Sequence, residues 1–521
     1  MTATTEFVPE KAKPGRLARN SALGAVAGMS TSLSSFLCGI IVARALGVAG
    51  TGTVAYIIWI VVTLAPVVDI GMQASIGRYT PEFRGRGEHA LAETLSGYLY
   101  RVLLCSVGVA VAIVALVASF PALTQWVGIQ DGGVTPLGGE RTLLALMAVY
   151  IAMQVLGTYS YAYLRGSQAF GTVARFATLS LGVQLASVAV GSLVAGVTGA
   201  LVGYIAGQLM PGLASLRFIG RRGEIDPDLR QRIRRYATFA WAANVANAFV
   251  WSRIEIFFLA RSWGPHAVGI FTVAMALSSF ATQGPIMLTT GVLAHFSEQH
   301  GRGELDAMKE ACATGTRLLA LLIFPSCLGM VAIMPVLLPL LYGHAFTEAV
   351  PAGIILVSAA AITASTVIST NLLYAMERSD FIFATSLFGG VLAVLAGFFL
   401  VPVFGILGAA AGRAFIQLTM VAIGCWFVVR RLKCPLPFAA LGRLFAASAL
   451  SSLCAGICVA AIGGPLSLFV AIPVAAAVYV VGLKYLRPLP PDDLVILRGV
   501  AGMLPSAMRR PARAVIAYVE A

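Results

Sequence analysis

At 521 residues, with 59% hydrophobic and only 11% charged side chains and a mean hydropathy of +0.88, the chain is far from a soluble globular protein, which carries roughly 25% charged residues. The net charge of +14 could signal nucleic acid, but nearly all Lys and Arg fall in one set of loops between apolar segments, so membrane orientation and apposition to anionic lipid account for it and no nucleic-acid partner is expected. The eight cysteines show no CxxC or Cys/His ligand spacing and read as small core residues. No metal or cofactor is expected.

Residues 1–20 form a polar, basic tail ahead of a first apolar segment too long for a signal-peptide core, so that segment is expected to stay as an anchor. Apolar runs long enough to cross about 30 Å of hydrocarbon then follow at 21–43, 53–76, 95–119, 142–164, 172–195, 197–216, 237–260, 267–292, 314–340, 350–374, 381–401, 404–429, 438–462 and 465–484. With a cytoplasmic N-terminus, the outward loops hold only Arg44, Arg141 and Arg261 as basic residues. The inward loops hold nearly all the others, including Arg217, Arg221, Arg222, Arg230, Arg232, Arg234 and Arg235, a bias that favours both termini inside. The tail from Pro488 starts Pro490-Pro491-Asp492-Asp493 and continues with Leu494, Ile496, Leu497 and Val500, which predicts a capped helix lying on the cytoplasmic surface.

Three motifs recur in the same order. Arg44-x-x-Gly47 with Gly52 returns as Arg261-x-x-Gly264 with Gly269, and Gly85-Arg86-Gly87-Glu88 returns as Gly301-Arg302-Gly303-Glu304. Farther on, Gly196-x-x-Gly199-Ala200-x-x-Gly203 with Gln208 returns as Gly405-x-x-Gly408-Ala409-x-x-Gly412 with Gln417. The expected fold is therefore an all-α membrane protein of fourteen transmembrane helices: two six-helix lobes related by a pseudo-twofold axis, plus two C-terminal helices. The division runs 1–20 tail, 21–236 N-lobe, 237–434 C-lobe, 435–487 final pair and 488–521 cytoplasmic amphipathic tail. Gly408 and Gly412 offer a close-packing surface, and Pro66 and Pro285 are candidate kinks.

Several stretches carry a family resemblance: Arg44-Ala-Leu-Gly47 leading to Gly52, Asp69-Ile-Gly71 with Arg78-Tyr79-Thr80-Pro81-Glu82, Tyr163-Leu-Arg165-Gly166 with Phe170, Leu341-Tyr342-Gly343 with Phe346, and Ser252 to Gly269. Together they resemble the polysaccharide transporter branch of the multidrug, oligosaccharidyl-lipid and polysaccharide exporter superfamily. The resemblance implies an O-antigen or exopolysaccharide flippase of the bacterial inner membrane, not an enzyme. Such a flippase moves undecaprenyl-pyrophosphate-linked oligosaccharide by alternating access, with membrane lipids, a polysaccharide polymerase and assembly proteins as partners. A lipid II flippase or a multidrug exporter of the same superfamily is the alternative. Fourteen spans favour a lipid-linked substrate, and the first span lacks the acidic residue that many drug exporters carry there. A membrane polysaccharide polymerase or acyltransferase would need a large outward catalytic loop, and the outward loops are short.

Charge inside a span costs about 2.5–3.5 kcal/mol at its centre and is read first as functional. Span seven contains Arg253 and Glu255. On an undistorted helix Asn244, Asn247, Trp251 and Glu255 share one stripe, with Arg253 about 180° away from it, so Arg253 and Glu255 are not expected to face one cavity. The stripe either faces the lumen, with Trp251 against a sugar ring, or Glu255 is held by a buried partner such as Arg413. Arg413 lies mid-span with Gln417 one turn on, and its planar fork suits phosphate. Arg253 either snorkels or lines a lateral opening. Asp69, in span two, and Glu255 are the candidate coupling carboxylates, against an inter-helix ion pair for Asp69. Arg175, Arg101 and Arg317, at the cytoplasmic starts of their spans, are candidates for headgroup capture, against the commoner explanation that each follows the positive-inside bias.

Overall fold

The computed structural model describes residues 14–520 except 121, 125–138, 222, 252, 290, 504 and 505, and only the backbone of 14–22, 25, 246, 247, 249–251, 294, 379, 500, 503 and 506–508. The N-terminal residues 1–13 and most of the 120–141 loop lie outside the described residues. The described residues are helical and contain no strand. In order the helices are α1 (Pro14–Asp69), α2 (Met72–Gly85), α3 (His89–Ser119), α4 (Glu140–Gly166), α5 (Phe170–Ala214), α6 (Pro227–Trp251), α7 (Glu255–Met287), α8 (Val292–Gly301), α9 (Leu305–Tyr342), α10 (Ala349–Ser365), α11 (Val367–Ala375), α12 (Ser379–Arg430), α13 (Phe438–Ile462), α14 (Ser467–Leu486), α15 (Pro491–Met503) and α16 (Ser506–Glu520).

Among the described residues, ten helices are long and apolar enough to cross a membrane. Three of these stretches, Val26–Asp69, Phe170–Phe218 and Asp380–Arg430, run for 44, 49 and 51 residues, about twice the length one crossing needs. Each is broken inside by a glycine with positive φ: Gly47 at φ 66°, Gly196 at φ 60° and Gly405 at φ 55°. Each therefore supplies two crossings. Span seven is assembled from α6 and the first turns of α7, up to a fourth break at Gly264, φ 74°. The result is consistent with fourteen spans.

The repeat motifs mark these breaks. Gly47 and Gly264 share ψ of −167° and −173°, and Gly196 and Gly405 share ψ of −135° and −130°. Such left-side dihedrals are open to glycine and strained for other residues. Sequence self-similarity therefore reflects the same backbone events in each half of the chain. Pro66 sits among helical dihedrals, and Pro285 falls two residues from the end of α7, so neither makes a break.

The chain forms two compact units, one of residues 1–45 and 60–248 and one of 46–59 and 249–521. In the first, α4 packs along α5, and α2 and α3 pack on α4. Its core stacks Tyr100, Tyr159, Phe218 and Tyr163 edge-on or tilted at 4.8–5.7 Å. In the second, α7 packs on α12 and α10, α9 on α10 and α13, and α13 on α14. The 46–59 stretch crosses α7 backbone to backbone: a Cβ at Gly52 would lie 1.7 Å from the Pro265 carbonyl oxygen, and one at Gly269 2.1 Å from that of Val48. These two glycines are the second members of the repeated Arg-x-x-Gly motif.

The tail is docked rather than loose. Asp493, 1% exposed, receives Nε and Nη2 of Arg317 at 2.5 and 2.9 Å. Beyond it α15 folds back on α16 and α16 lies on α14, with Arg498 paired to Glu520 and Lys484 over the Tyr518 ring at 4.3 Å. Arg317, one of the candidates for headgroup capture, is engaged by the tail. Of the cysteines, Cys38, Cys312, Cys327 and Cys434 are buried whereas Cys105 is exposed, which corrects its reading as a core residue.

Candidate functional site

Helix α6 stops at Trp251 and α7 starts at Glu255, with no glycine or proline between them. The turn is made by Arg253 itself, at φ 54°, and the Ile256 and Phe257 amides close it onto the Arg253 and Ile254 carbonyls at 2.9 and 3.0 Å. A non-glycine residue there costs about 1–3 kcal/mol, a conformation held only where its surroundings over-determine it.

The break overturns the wheel-based expectation that Arg253 and Glu255 face apart. Both line one narrow cleft, with Ser386, Arg413, Gln417 and Met420. An α-helical span would put the two side chains on opposite faces; unwinding one residue re-aims Arg253. Glu255 is 2% exposed and sits in the first turn of α7, where the positive end of the helix dipole favours a carboxylate. Arg413 Nη1 donates to Glu255 Oε1 and Oε2 at 3.5 and 3.4 Å, longer than the about 2.7–2.9 Å of a tight charge-assisted bond. Arg413 Nε and Gln417 Oε1 are buried with no hydrogen-bond partner among the described residues. Arg253 is exposed toward the cleft and reaches Ser279 Oγ at 3.5 Å.

Two guanidiniums thus line a cleft with one carboxylate, which pairs with Arg413. The cleft holds about 30 Å³ open to water, room for a water or two and far too little for a sugar. It is a loosely satisfied cationic site with unused donors, the arrangement from which an anion could displace a carboxylate.

The remaining candidates lie elsewhere. Asp69, 5% exposed, accepts the Gln73 amide on both oxygens at 3.1 and 3.3 Å. It caps α2, after a turn through Ile70 and Gly71 at φ 49° and 75°, and makes no ion pair among the described residues. Asn244 is exposed on α6, and Arg175 is exposed near the start of α5 in the first unit. The side chains of Asn247 and Trp251 lie outside the described residues. Arg101 donates to the Arg221 carbonyl at 2.9 Å. Ser279 and Ser386 escaped the sequence reading because one serine in an apolar span carries no signal.

The sequence matches a family described as Polysaccharide biosynthesis protein over residues 41–351, more than half the chain. The chain belongs to this family. Within this member, Arg253 and Glu255 fall inside the matched stretch, and Arg413 and Gln417 beyond it. No curated protein matches the chain in sequence. Among solved structures, the lipid II flippase MurJ in an inward closed conformation is similar with a TM-score of 0.69 at 12% identity, over 89% of this chain and 98% of that one. An inward-facing multidrug resistance MATE family transporter of the MOP superfamily is similar with a TM-score of 0.60 at 14% identity, over 80% and 99%. An outward-facing conformation of a MATE family transporter of the same superfamily gives 0.54 at 15% identity, over 83% and 100%. The polysaccharide biosynthesis protein thus has the fold of these MOP superfamily structures, and its long apolar helices make it a multi-pass membrane protein.

Proposed function

We propose that this chain is a flippase that carries undecaprenyl-pyrophosphate-linked oligosaccharide across a bacterial inner membrane for O-antigen or exopolysaccharide assembly. Both termini lie in the cytoplasm, and a polysaccharide polymerase takes the product. The observation that supports this reading is the intramembrane group of Arg253, Glu255 and Arg413 around one narrow cleft, in a chain of the polysaccharide biosynthesis family. Charges at this depth are costly and mark a transport path.

Arg413 and Arg253 hold the pyrophosphate through paired N–H donors, and Gln417 adds a neutral hydrogen bond to a phosphate or sugar oxygen. Glu255 occupies the Arg413 fork when substrate is absent. A proton or cation on the carboxylate removes its hold and frees Arg413 for phosphate, which assigns coupling to Glu255. Asp69 is given the work of the helix cap described above.

Deleting the gene should strand lipid-linked repeat units in the cytoplasmic leaflet, measured by protection of the lipid-linked glycan from externally added glycosidase in spheroplasts. Unchanged surface polysaccharide together with raised sensitivity to cationic drugs would sink the proposal in favour of an exporter.

A further inference from the structure

At the loop end of the first unit, three arginines gather on one tyrosine. Arg84, Arg217 and Arg221 place their guanidinium carbons 5.6, 5.2 and 5.3 Å from the Tyr163 ring centre. Arg217 and Arg221 also stand 4.9 and 5.1 Å from the ring of Phe218. Cation–π contacts hold a guanidinium in place without neutralising it. One carboxylate, the half-exposed Glu93, stands 3.9 Å from Arg221, and three guanidiniums against it leave the cluster a surplus of positive charge.

The cluster is built, not scattered. The 215–218 turn that carries Arg217 is anchored by buried Phe218 and by Ser215, bonded to the Tyr100 hydroxyl at 2.8 Å. The Arg221 carbonyl presses onto Gly97, where a Cβ would come within 2.1 Å of it, and Arg221 Nη1 donates to Ser96 Oγ at 2.9 Å.

What the cluster lacks is an acceptor. Tyr163 Oη receives Arg84 Nη2 and Arg221 Nη1, each at 3.1 Å, so two of the guanidiniums meet on one neutral phenol rather than on an anion. Arg84 Nε is buried without a partner, and Arg217 has ring contacts but no hydrogen-bonded partner among the described residues. Unused donors on fixed cations around a phenol call for one compact, multiply charged oxyanion.

We infer that Arg84, Arg217, Arg221 and Tyr163 form a phosphate site, taking a phosphate or pyrophosphate group that arrives free or on a lipid headgroup. The site is separate from the Arg253, Glu255 and Arg413 group and does not depend on the transport reading above.

The test uses the full chain in nanodiscs of neutral phosphatidylcholine, titrated calorimetrically with inorganic pyrophosphate. It is then repeated by thermal unfolding in nanodiscs containing phosphatidylglycerol without added phosphate. Arg217→Gln removes a residue with no hydrogen bond to lose, so its fold survives; it and Arg84→Gln should each weaken binding by about tenfold or more. Tyr163→Phe should weaken it by roughly two- to tenfold. Arg302→Gln, at an exposed guanidinium paired with Glu298, should retain it. Pyrophosphate binding lost in the variants identifies a free or substrate-borne phosphate. Stabilisation by phosphatidylglycerol alone, lost in the same variants, identifies a lipid headgroup. Equal affinity in Arg217→Gln and wild type, no response to either probe, or an effect that chloride reproduces at matched ionic strength overturns the site.

Discussion

Arg253 is the residue whose conformation decides what span seven can do. Nothing in Ser252-Arg253-Ile254 signals a break, because the usual punctuation of glycine or proline is absent; a helical wheel therefore put Arg253 on the far side from Glu255. The Arg413 and Glu255 partnership was legible as one of two alternatives, since an unaccompanied mid-span charge needs a partner. Loss of one partner leaves the other charge buried, at about 3–5 kcal/mol. Arg413→Ala should thus lower the melting temperature in detergent, whereas Glu255→Gln with Arg413→Gln should restore much of the stability and no transport. Full transport in the double variant would detach the pair from function. For Asp69, Asp69→Ala should cost about 1 kcal/mol through the lost cap and Asp69→Asn much less. Transport should persist in Asp69→Asn; its loss in a stable protein would return Asp69 to the coupling role.

Among the elements, the long helices broken at matched glycines show how much of the fold was readable. The repeats were visible because glycine is the residue that such dihedrals select, so the spacing of Gly47, Gly264, Gly196 and Gly405 carried backbone geometry in plain letters. The partner of each packing glycine was not readable, since it depends on a segment far away in sequence. Gly52 and Gly269 make the sharper prediction. Gly269→Ala drives a methyl into the Val48 carbonyl and should cost about 1–3 kcal/mol by overpacking, seen as a fall in thermal midpoint. Gly47→Ala meets no atom within 4 Å and strains only its own φ, so it should cost about 1–2 kcal/mol. A larger effect for Gly47→Ala than for Gly269→Ala would refute the crossing.

For the whole molecule, composition and charge placement fixed the membrane class and the helical architecture, because a bilayer admits few solutions for an apolar chain. The docking of the tail was beyond reach from sequence: Asp492 and Asp493 look alike there, and only Asp493 is buried against Arg317. Asp493→Ala should destabilise the protein by several kcal/mol, as removal of one member of a buried pair does, and should expose α15 to limited proteolysis. Asp492→Ala should change neither. Equal protease patterns for the two would show that the tail is held by its apolar contacts alone.

The four glycine breaks fall in repeated pairs, and the one arginine break has no counterpart in the first half. The paired glycines hold a scaffold that both halves share, whereas Phe36 and Cys38 stand in the first half where Arg253 and Glu255 stand in the second. A duplicated ancestor could keep its skeleton while one copy acquired charge. New cargo would then be reached by changing a few side chains in the second half, leaving untouched the residues that shape the helices.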